Sequence, residues 1–295
     1  MHSTPESALL SYRTQDMPGA ISDAVYSPSG EMLACSLDTG DLVFHQAVTN
    51  KRFCPIKTEN EKGFLVDFLS PTLLVHTTGK NLQVLDLKKE EYSCLFSAHK
   101  SRICSISTSS MFRNTISVGE NEMYLWDVRE RSAHARLPVQ GRPIVRYSPD
   151  GRVFVVLFEG MKEMRLFDVR SYFAGPYRTK KLEAEKYTDM QFSPDGFGMA
   201  LFQESGIGIA DGFSGDITMQ LASDFSQAGC FTQDSRSFVF TTGPHEVSMA
   251  TLPEPKGVPI FSVDSALPIT GLRYNLCFEQ VAVLHGQLTF LQNSN

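Results

Sequence analysis

Tyr147-Ser148-Pro149-Asp150-Gly151 decides how this chain is read, because the unit returns along the sequence. Phe192-Ser193-Pro194-Asp195-Gly196 and Tyr26-Ser27-Pro28-Ser29-Gly30 repeat it closely. Leu69-Ser70-Pro71, Phe231-Thr232-Gln233-Asp234 and Tyr274-Asn275-Leu276 are weaker copies, and Ile106-Ser107-Thr108 is the most degenerate. Their third positions are 28, 71, 108, 149, 194, 233 and 276. A spacing of about 37 to 45 residues is the period of a four-stranded propeller blade.

The chemistry of each unit fits that period. An apolar residue ends one strand, proline fixes φ in the turn, and glycine takes the positive φ. A second apolar strand follows, as in Val153-Phe154-Val155-Val156-Leu157-Phe158 or Met199-Ala200-Leu201-Phe202. A third ends on aspartate in Leu82-Gln83-Val84-Leu85-Asp86, Met123-Tyr124-Leu125-Trp126-Asp127, Met164-Arg165-Leu166-Phe167-Asp168 and Ile207-Gly208-Ile209-Ala210-Asp211. Alternation and β-branched content predict strands. One short helical turn is expected over Lys180–Lys186.

The fold expected is all-β: one domain over residues 1–295, a seven-bladed propeller. Blades are expected near 20–47, 63–87, 95–128, 136–169, 186–211, 227–251 and 268–291. Ala8-Leu9-Leu10-Ser11-Tyr12 is the candidate strand, at 8–12, that completes the last blade and closes the ring. Closure leaves no long sheet edge.

Composition narrows the function classes. Hydrophobic residues are 42% and charged residues 20%, an ordinary globular balance. No apolar run approaches the roughly 20 residues of a membrane span. Met1 to Tyr12 lacks a basic segment and a continuous apolar stretch, so no signal peptide is expected, and the compartment expected is cytosolic or nuclear. The six cysteines (Cys35, Cys54, Cys94, Cys104, Cys230 and Cys277) form no Cys-x-x-Cys pair and are expected to be reduced, buried small hydrophobes. The net charge of −6 is uneven: Ser97 to Lys186 carries 16 Lys and Arg against 10 Asp and Glu, leaving the remainder at −12. A basic sector of this kind attracts an anionic partner.

Catalytic signatures are missing from the sequence. No phosphate-cradling Gly-x-x-x-x-Gly-Lys loop, His-Glu-x-x-His or Gly-x-Ser-x-Gly is present. Gly206-Ile207-Gly208 resembles part of a dinucleotide loop but falls inside an expected strand with no helix after it. The chain is therefore expected to be no enzyme, with no cofactor and no metal.

Ala98-His99 and Trp126-Asp127 bracket the third unit, as the Gly-His and Trp-Asp pairs bracket units of the WD-repeat family, which the chain resembles. The resemblance implies a bracing network of His99, Trp126 and Asp127, with Glu120 near the place of a further turn aspartate. Local features resemble one subfamily, the WD-repeat subunit of COMPASS-type histone methyltransferase complexes, shared with transcription-termination assemblies. Leu125-Trp126-Asp127-Val128-Arg129 followed by Val139-Gln140-Gly141-Arg142-Pro143-Ile144 is similar to its third-to-fourth blade passage. Leu166-Phe167-Asp168-Val169-Arg170-Ser171-Tyr172 leading to Gly175-Pro176-Tyr177, then Ile209-Ala210-Asp211-Gly212-Phe213-Ser214-Gly215 and Pro268-Ile269-Thr270-Gly271-Leu272, continue the likeness. The first two units, the loop around Lys51–Lys62, and the sixth unit, which lacks a Trp, depart from it.

The resemblance implies a nuclear scaffold whose partners are subunits of a histone methyltransferase or of a phosphatase or polyadenylation complex. It also implies contact with the phosphorylated tail of RNA polymerase II. Arg102, Arg113, Arg142, Arg146, Arg165 and Arg178 are the candidate anion and partner contacts, since guanidinium pairs phosphate bidentately. An alternative is a substrate receptor of a cullin-type ubiquitin ligase, which carries Trp-Asp-x-Arg at a blade end. Trp126-Asp127-Val128-Arg129 fits that pattern and Phe167-Asp168-Val169-Arg170 nearly does. Overall acidity disfavours direct nucleic-acid binding.

Overall fold

The computed structural model describes residues 10–293 apart from 50, 54–55, 59–63, 131, 159–160, 184–185, 205, 224, 226–227 and 255. Seven antiparallel four-stranded sheets follow one another. Blade 1 is β2 (Ile21–Tyr26), β3 (Met32–Leu37), β4 (Asp41–Gln46) and β5 (Ile56–Lys57). Blade 2 is β6 (Val66–Ser70), β7 (Leu73–Thr78), β8 (Asn81–Asp86) and β9 (Glu91–Ser97). Blade 3 is β10 (Ser105–Ser109), β11 (Asn114–Gly119), β12 (Glu122–Asp127) and β13 (Ala133–Pro138). Blade 4 is β14 (Ile144–Tyr147), β15 (Val153–Phe158), β16 (Glu163–Asp168) and β17 (Arg178–Lys181). Blade 5 is β18 (Tyr187–Phe192), β19 (Gly198–Gln203), β20 (Gly206–Asp211) and β21 (Ile217–Ala222). Blade 6 is β22 (Gly229–Phe231), β23 (Ser237–Thr241), β24 (Glu246–Thr251) and β25 (Val258–Ser262). Blade 7 is β26 (Gly271–Asn275), β27 (Gln280–Leu284) and β28 (Leu288–Asn293), completed by β1 (Leu10–Gln15).

The first strand of each blade lines the central channel and the fourth lies outermost. Because every blade is a meander, the loops entering the first strand and joining the second to the third share one rim, here the top. Loops joining first to second and third to fourth share the bottom rim.

Ring closure uses the N-terminal strand, as expected, and that strand runs on past residue 12. β1 pairs antiparallel with β28, Leu10 opposite Asn293 and Gln15 opposite Leu288. The expected segment 8–12 therefore lies partly outside the described residues, and the clasp extends to Gln15. The helical turn expected over Lys180–Lys186 is corrected: Arg178–Lys181 is the outer strand β17, paired with β16. The Gly206-Ile207-Gly208 segment lies in β20, paired on both sides.

Packing explains why the middle strands read as continuous apolar runs. Both faces of each blade are buried, so alternate side chains of one strand enter two different cores. In β15, Phe154, Val156 and Phe158 pack with Ile116, Val118 and Leu125 of blade 3. Val155 and Leu157 of the same strand pack with Met190, Met199 and Leu201 of blade 5. Seven such clusters fill the seven blade-to-blade seams, the last joining Ala282 and Phe290 to Leu33 and Val43.

The repeated turns have one hydrogen-bond plan. Ser148, Ser193 and Thr232 each donate a hydroxyl to the aspartate two residues on, at 2.6 Å, and accept from the backbone five residues on. Gly151 and Gly196 then sit at φ 68° and 76°, the left-handed conformation glycine adopts without strain. On the same rim, at the ends of four third strands, Asp86, Asp127, Asp168 and Asp211 accept the backbone N–H two residues on and close the turn to the fourth strand.

Candidate functional sites: the bracing network, the channel and two rims

Blade 3 contains a buried relay of four side chains. The Trp126 indole N–H donates to Ser117 Oγ at 2.7 Å. That hydroxyl lies 2.6 Å from His99 Nε2, and His99 Nδ1 faces Glu122 Oε1 at 3.3 Å. With a neutral imidazole the donations run tryptophan to serine, serine to Nε2, and an Nδ1 proton toward the carboxylate. Burial holds His99 below its usual range despite the adjacent carboxylate, which favours that neutral form. Glu122 also accepts the Lys100 and Ser101 backbone N–H groups at 2.5 and 3.3 Å. Two further rings pack around the relay: Tyr124 is 4.7 Å from His99, edge to face, and 5.4 Å from Trp126, and Phe96 is 5.0 Å from Trp126.

Two sequence assignments change here. Glu120, read near the turn-aspartate position, points outward and pairs with Arg142 at 3.5 Å. Glu122 faces the histidine instead, because the turn runs Gly119-Glu120-Asn121 with Asn121 at φ 61°. Asp127 stands apart from the relay and closes the bottom turn, where Arg129 Nε meets Asp127 Oδ1 at 2.9 Å. Ser117 was missed, since one serine in a strand carries no signal in a single sequence. Blade 7 has a shorter relay: His285 Nε2 lies 2.8 Å from Thr289 Oγ1, itself 3.0 Å from Thr14 Oγ1 on the closing strand.

The channel holds a cavity of about 510 Å³ with a collar of charged side chains. The collar ties blade to blade. Asp23 Oδ2 accepts Val66 N–H at 3.2 Å, and Asp67 Oδ2 accepts Thr108 N–H at 2.8 Å. Ser105 and Ser107 accept Val145 and Tyr147 N–H at 3.1 and 2.9 Å. Arg146 Nη2 donates to Asp189 Oδ1 at 2.5 Å, and Arg273 Nη2 to Asp23 Oδ1 at 3.0 Å. Burial pushes the Asp67 carboxyl up to about 6, against the pull of the Thr108 hydrogen bonds and Arg146.

The six candidate arginines do not form one patch. Arg102 and Arg142 are exposed on the top rim, in the loops entering blades 3 and 4. The Glu120 turn joins those loops, because Glu120 N–H donates to Ser101 Oγ at 2.7 Å and its carboxylate meets Arg142. Lys80, Lys100 and Lys162 are also exposed on this rim. Arg113 is on the bottom rim at φ 55°. Arg146 lies in the channel collar, Arg165 pairs with Glu163 and covers the Phe158 ring at 4.7 Å, and Arg178 lies at the outer edge near Asp216 at 3.9 Å. A basic stretch of sequence is thus divided among two rims, a channel and a blade flank.

The expectation of buried cysteines is also corrected: Cys35 and Cys230 are buried, Cys104 and Cys277 are exposed, and Cys54 lies outside the described residues. Among the described residues no three His, Cys, Asp or Glu side chains are grouped to hold a metal ion, and no helix is long and apolar enough to cross a membrane.

No family model matches the chain. It is 28% identical over 184 residues to WD repeat-containing protein 82 of Drosophila melanogaster, covering 58% of this chain and 56% of that protein. It is 28% identical over 177 residues to Protein ANTHESIS POMOTING FACTOR 1 of Arabidopsis thaliana, covering 57% and 53%. An uncharacterized WD repeat-containing protein of Schizosaccharomyces pombe is 26% identical over 288 residues, 90% of this chain and 80% of that one. In the first two comparisons the chain spans about half the length of the relative. The relatives are distant, and the fold is a seven-bladed WD-repeat propeller.

Proposed function

We propose that this protein is a non-catalytic, nuclear WD-repeat subunit of a histone methyltransferase or transcription-termination phosphatase complex, and that it reads the phosphorylated tail of RNA polymerase II on its top rim. WD-repeat propellers are a scaffold class that mediates protein–protein interaction, and the closed ring fits that role. One observation carries the finer reading: Arg102 and Arg142 rise on either side of the Glu120 turn, among Lys80, Lys100 and Lys162. This is an exposed basic arc on adjacent blades, suited to several phosphates spaced along an extended peptide.

The test is binding of a serine-phosphorylated tail peptide to Arg102→Glu/Arg142→Glu. At least a tenfold loss, with the unphosphorylated peptide weak throughout, is expected. Unchanged affinity overturns tail reading. Proteins co-purifying with the tagged chain from nuclear extract test the setting.

The ubiquitin-ligase reading is favoured by one feature. Arg129 and Arg170 occupy equivalent bottom turns of adjacent blades, each bonded to the preceding aspartate. Recovery of ligase adaptors in place of methyltransferase or termination subunits supports that reading and overturns the first.

A further inference from the structure

The bottom rim of blades 4 and 5 carries large apolar side chains that no core uses. Phe173 is 79% exposed, Phe197 65%, Phe213 52% and Tyr177 49%.

They adjoin one another. The Phe197 and Phe213 rings are 5.8 Å apart, and the Tyr177 hydroxyl donates to Phe213 O at 3.3 Å. Phe173 extends from the 3-10 turn Tyr172–Ala174 that leads into Tyr177. Toward blade 3, Pro149 abuts Gly196, and a Cβ on Gly151 would stand 3.0 Å from the exposed Phe112 ring. The apolar strip thus crosses three blades on one rim. Ordinary surfaces scatter such residues singly.

The charges beside the strip have a direction. Arg129, Arg152 and Arg170 have side chains 68%, 74% and 80% exposed, while Asp127 and Asp168 beneath the first and last are 14% and 32% exposed. The Arg129 and Arg170 guanidiniums stand outward while the carboxylates that orient them are tucked against the turn; Asp150, beside Arg152, is 53% exposed. At Arg129 and Arg170 a partner therefore meets the cation first.

We infer that this rim docks an extended acidic segment of a partner protein, inserting large apolar side chains between Phe173, Tyr177, Phe197 and Phe213 while its carboxylates meet Arg129, Arg152 and Arg170. Exposed aromatics beside arginine are the composition of binding hot spots. Single-stranded RNA would also use aromatic faces and arginine, but needs uncompensated cations for its phosphates. Here each of the three guanidiniums lies beside its own aspartate, so the rim offers separate outward N–H donors, suited to single carboxylates, and no net positive track for a phosphate backbone. The surface is on the rim opposite Arg102 and Arg142, so it stands or falls independently of tail reading.

The test presents the full chain with a displayed library of random 12-residue peptides and, separately, a labelled single-stranded RNA 12-mer. Two variants accompany wild type: Phe173→Ser/Phe197→Ser/Phe213→Ser and Arg129→Glu/Arg170→Glu. Both alter only exposed side chains, and a thermal melt within a few degrees of wild type verifies folding. Expected are selected peptides rich in Asp and Glu with Phe, Leu or Trp, binding at least tenfold more weakly to either variant. Basic or composition-neutral peptides, acidic peptides indifferent to both variants, or RNA binding lost in the variants where peptides do not bind would each overturn the proposal.

Discussion

Glu122 faces His99 across 3.3 Å at a site almost closed to solvent, and holds the imidazole at one end of a relay that ends on the only tryptophan in the chain. Removing an inner member strands a buried donor or acceptor on either side. Ser117→Ala is expected to destabilise the protein by about 1–3 kcal/mol. Trp126→Ala adds a cavity and is expected to lose about 3–5 kcal/mol. In a double-mutant cycle by urea unfolding, Ser117→Ala with His99→Ala should fall well short of additivity; additive losses would mean the relay does not act as a unit.

Acid should unfold this protein through its buried histidines. Burial lowers His45 and His76 from 6.5 to about 4. Each stays neutral when folded but takes a proton when unfolded below about 6.5, so stability is whole above that pH and falls as pH drops toward 4. The loss is of order 3 kcal/mol per imidazole. Glu122, held below the carboxylate range, acts in the same direction at lower pH. Asp67 opposes them: its carboxyl, raised from 3.8 to about 6, binds its proton more readily when folded. Asp67→Asn should therefore steepen the decline between pH 6 and 4, measured as urea midpoints across that range.

Ring closure can be locked covalently. Thr14 and Thr289 are directly opposed in the clasp, with hydroxyls 3.0 Å apart. Thr14→Cys/Thr289→Cys, once oxidised, joins nearly the whole chain into one loop. It is expected to stabilise by about 2–4 kcal/mol relative to its reduced form. Paired thermal melts with and without reductant measure this, and equal melts would show the clasp contributes little.

Gly212 has no room for a side chain. A Cβ there would stand 2.3 Å from the Gly196 carbonyl oxygen, a backbone atom that cannot swing aside. Gly212→Ala should cost about 1–3 kcal/mol by forcing the two bottom turns of blade 5 apart. It should also weaken the Phe197–Phe213 pairing, read as increased proteolysis at that rim.

Much of the architecture was legible because it rests on local chemistry repeated in register. The Ser-Pro-Asp-Gly turns announce the first two strands of a blade, and the terminal aspartates announce the third. The fourth strands were not legible. β13 alternates half-buried and exposed residues, and β5 has only two residues, so neither offers an apolar run or a turn signature. The network around His99 was half legible: the family likeness gave histidine and tryptophan, but the acid lies two residues beyond the position read for it. The arginines were the least legible. Sixteen cations within 90 residues look like a patch only until the blades fan them out, because neighbours in sequence alternate between rims every strand.

The clasp has a consequence for how the molecule comes into being. Its seventh blade joins Leu10–Gln15 to strands made after nearly all the rest. During synthesis the earlier blades form an open arc with an unpaired leading edge, and that arc becomes a ring only when Leu288–Asn293 leaves the ribosome. Such distant pairing is slow to find. A premature stop anywhere in the last blade therefore leaves every blade before it without a circle to belong to, so the ring itself is a proof that translation passed the strand that closes it.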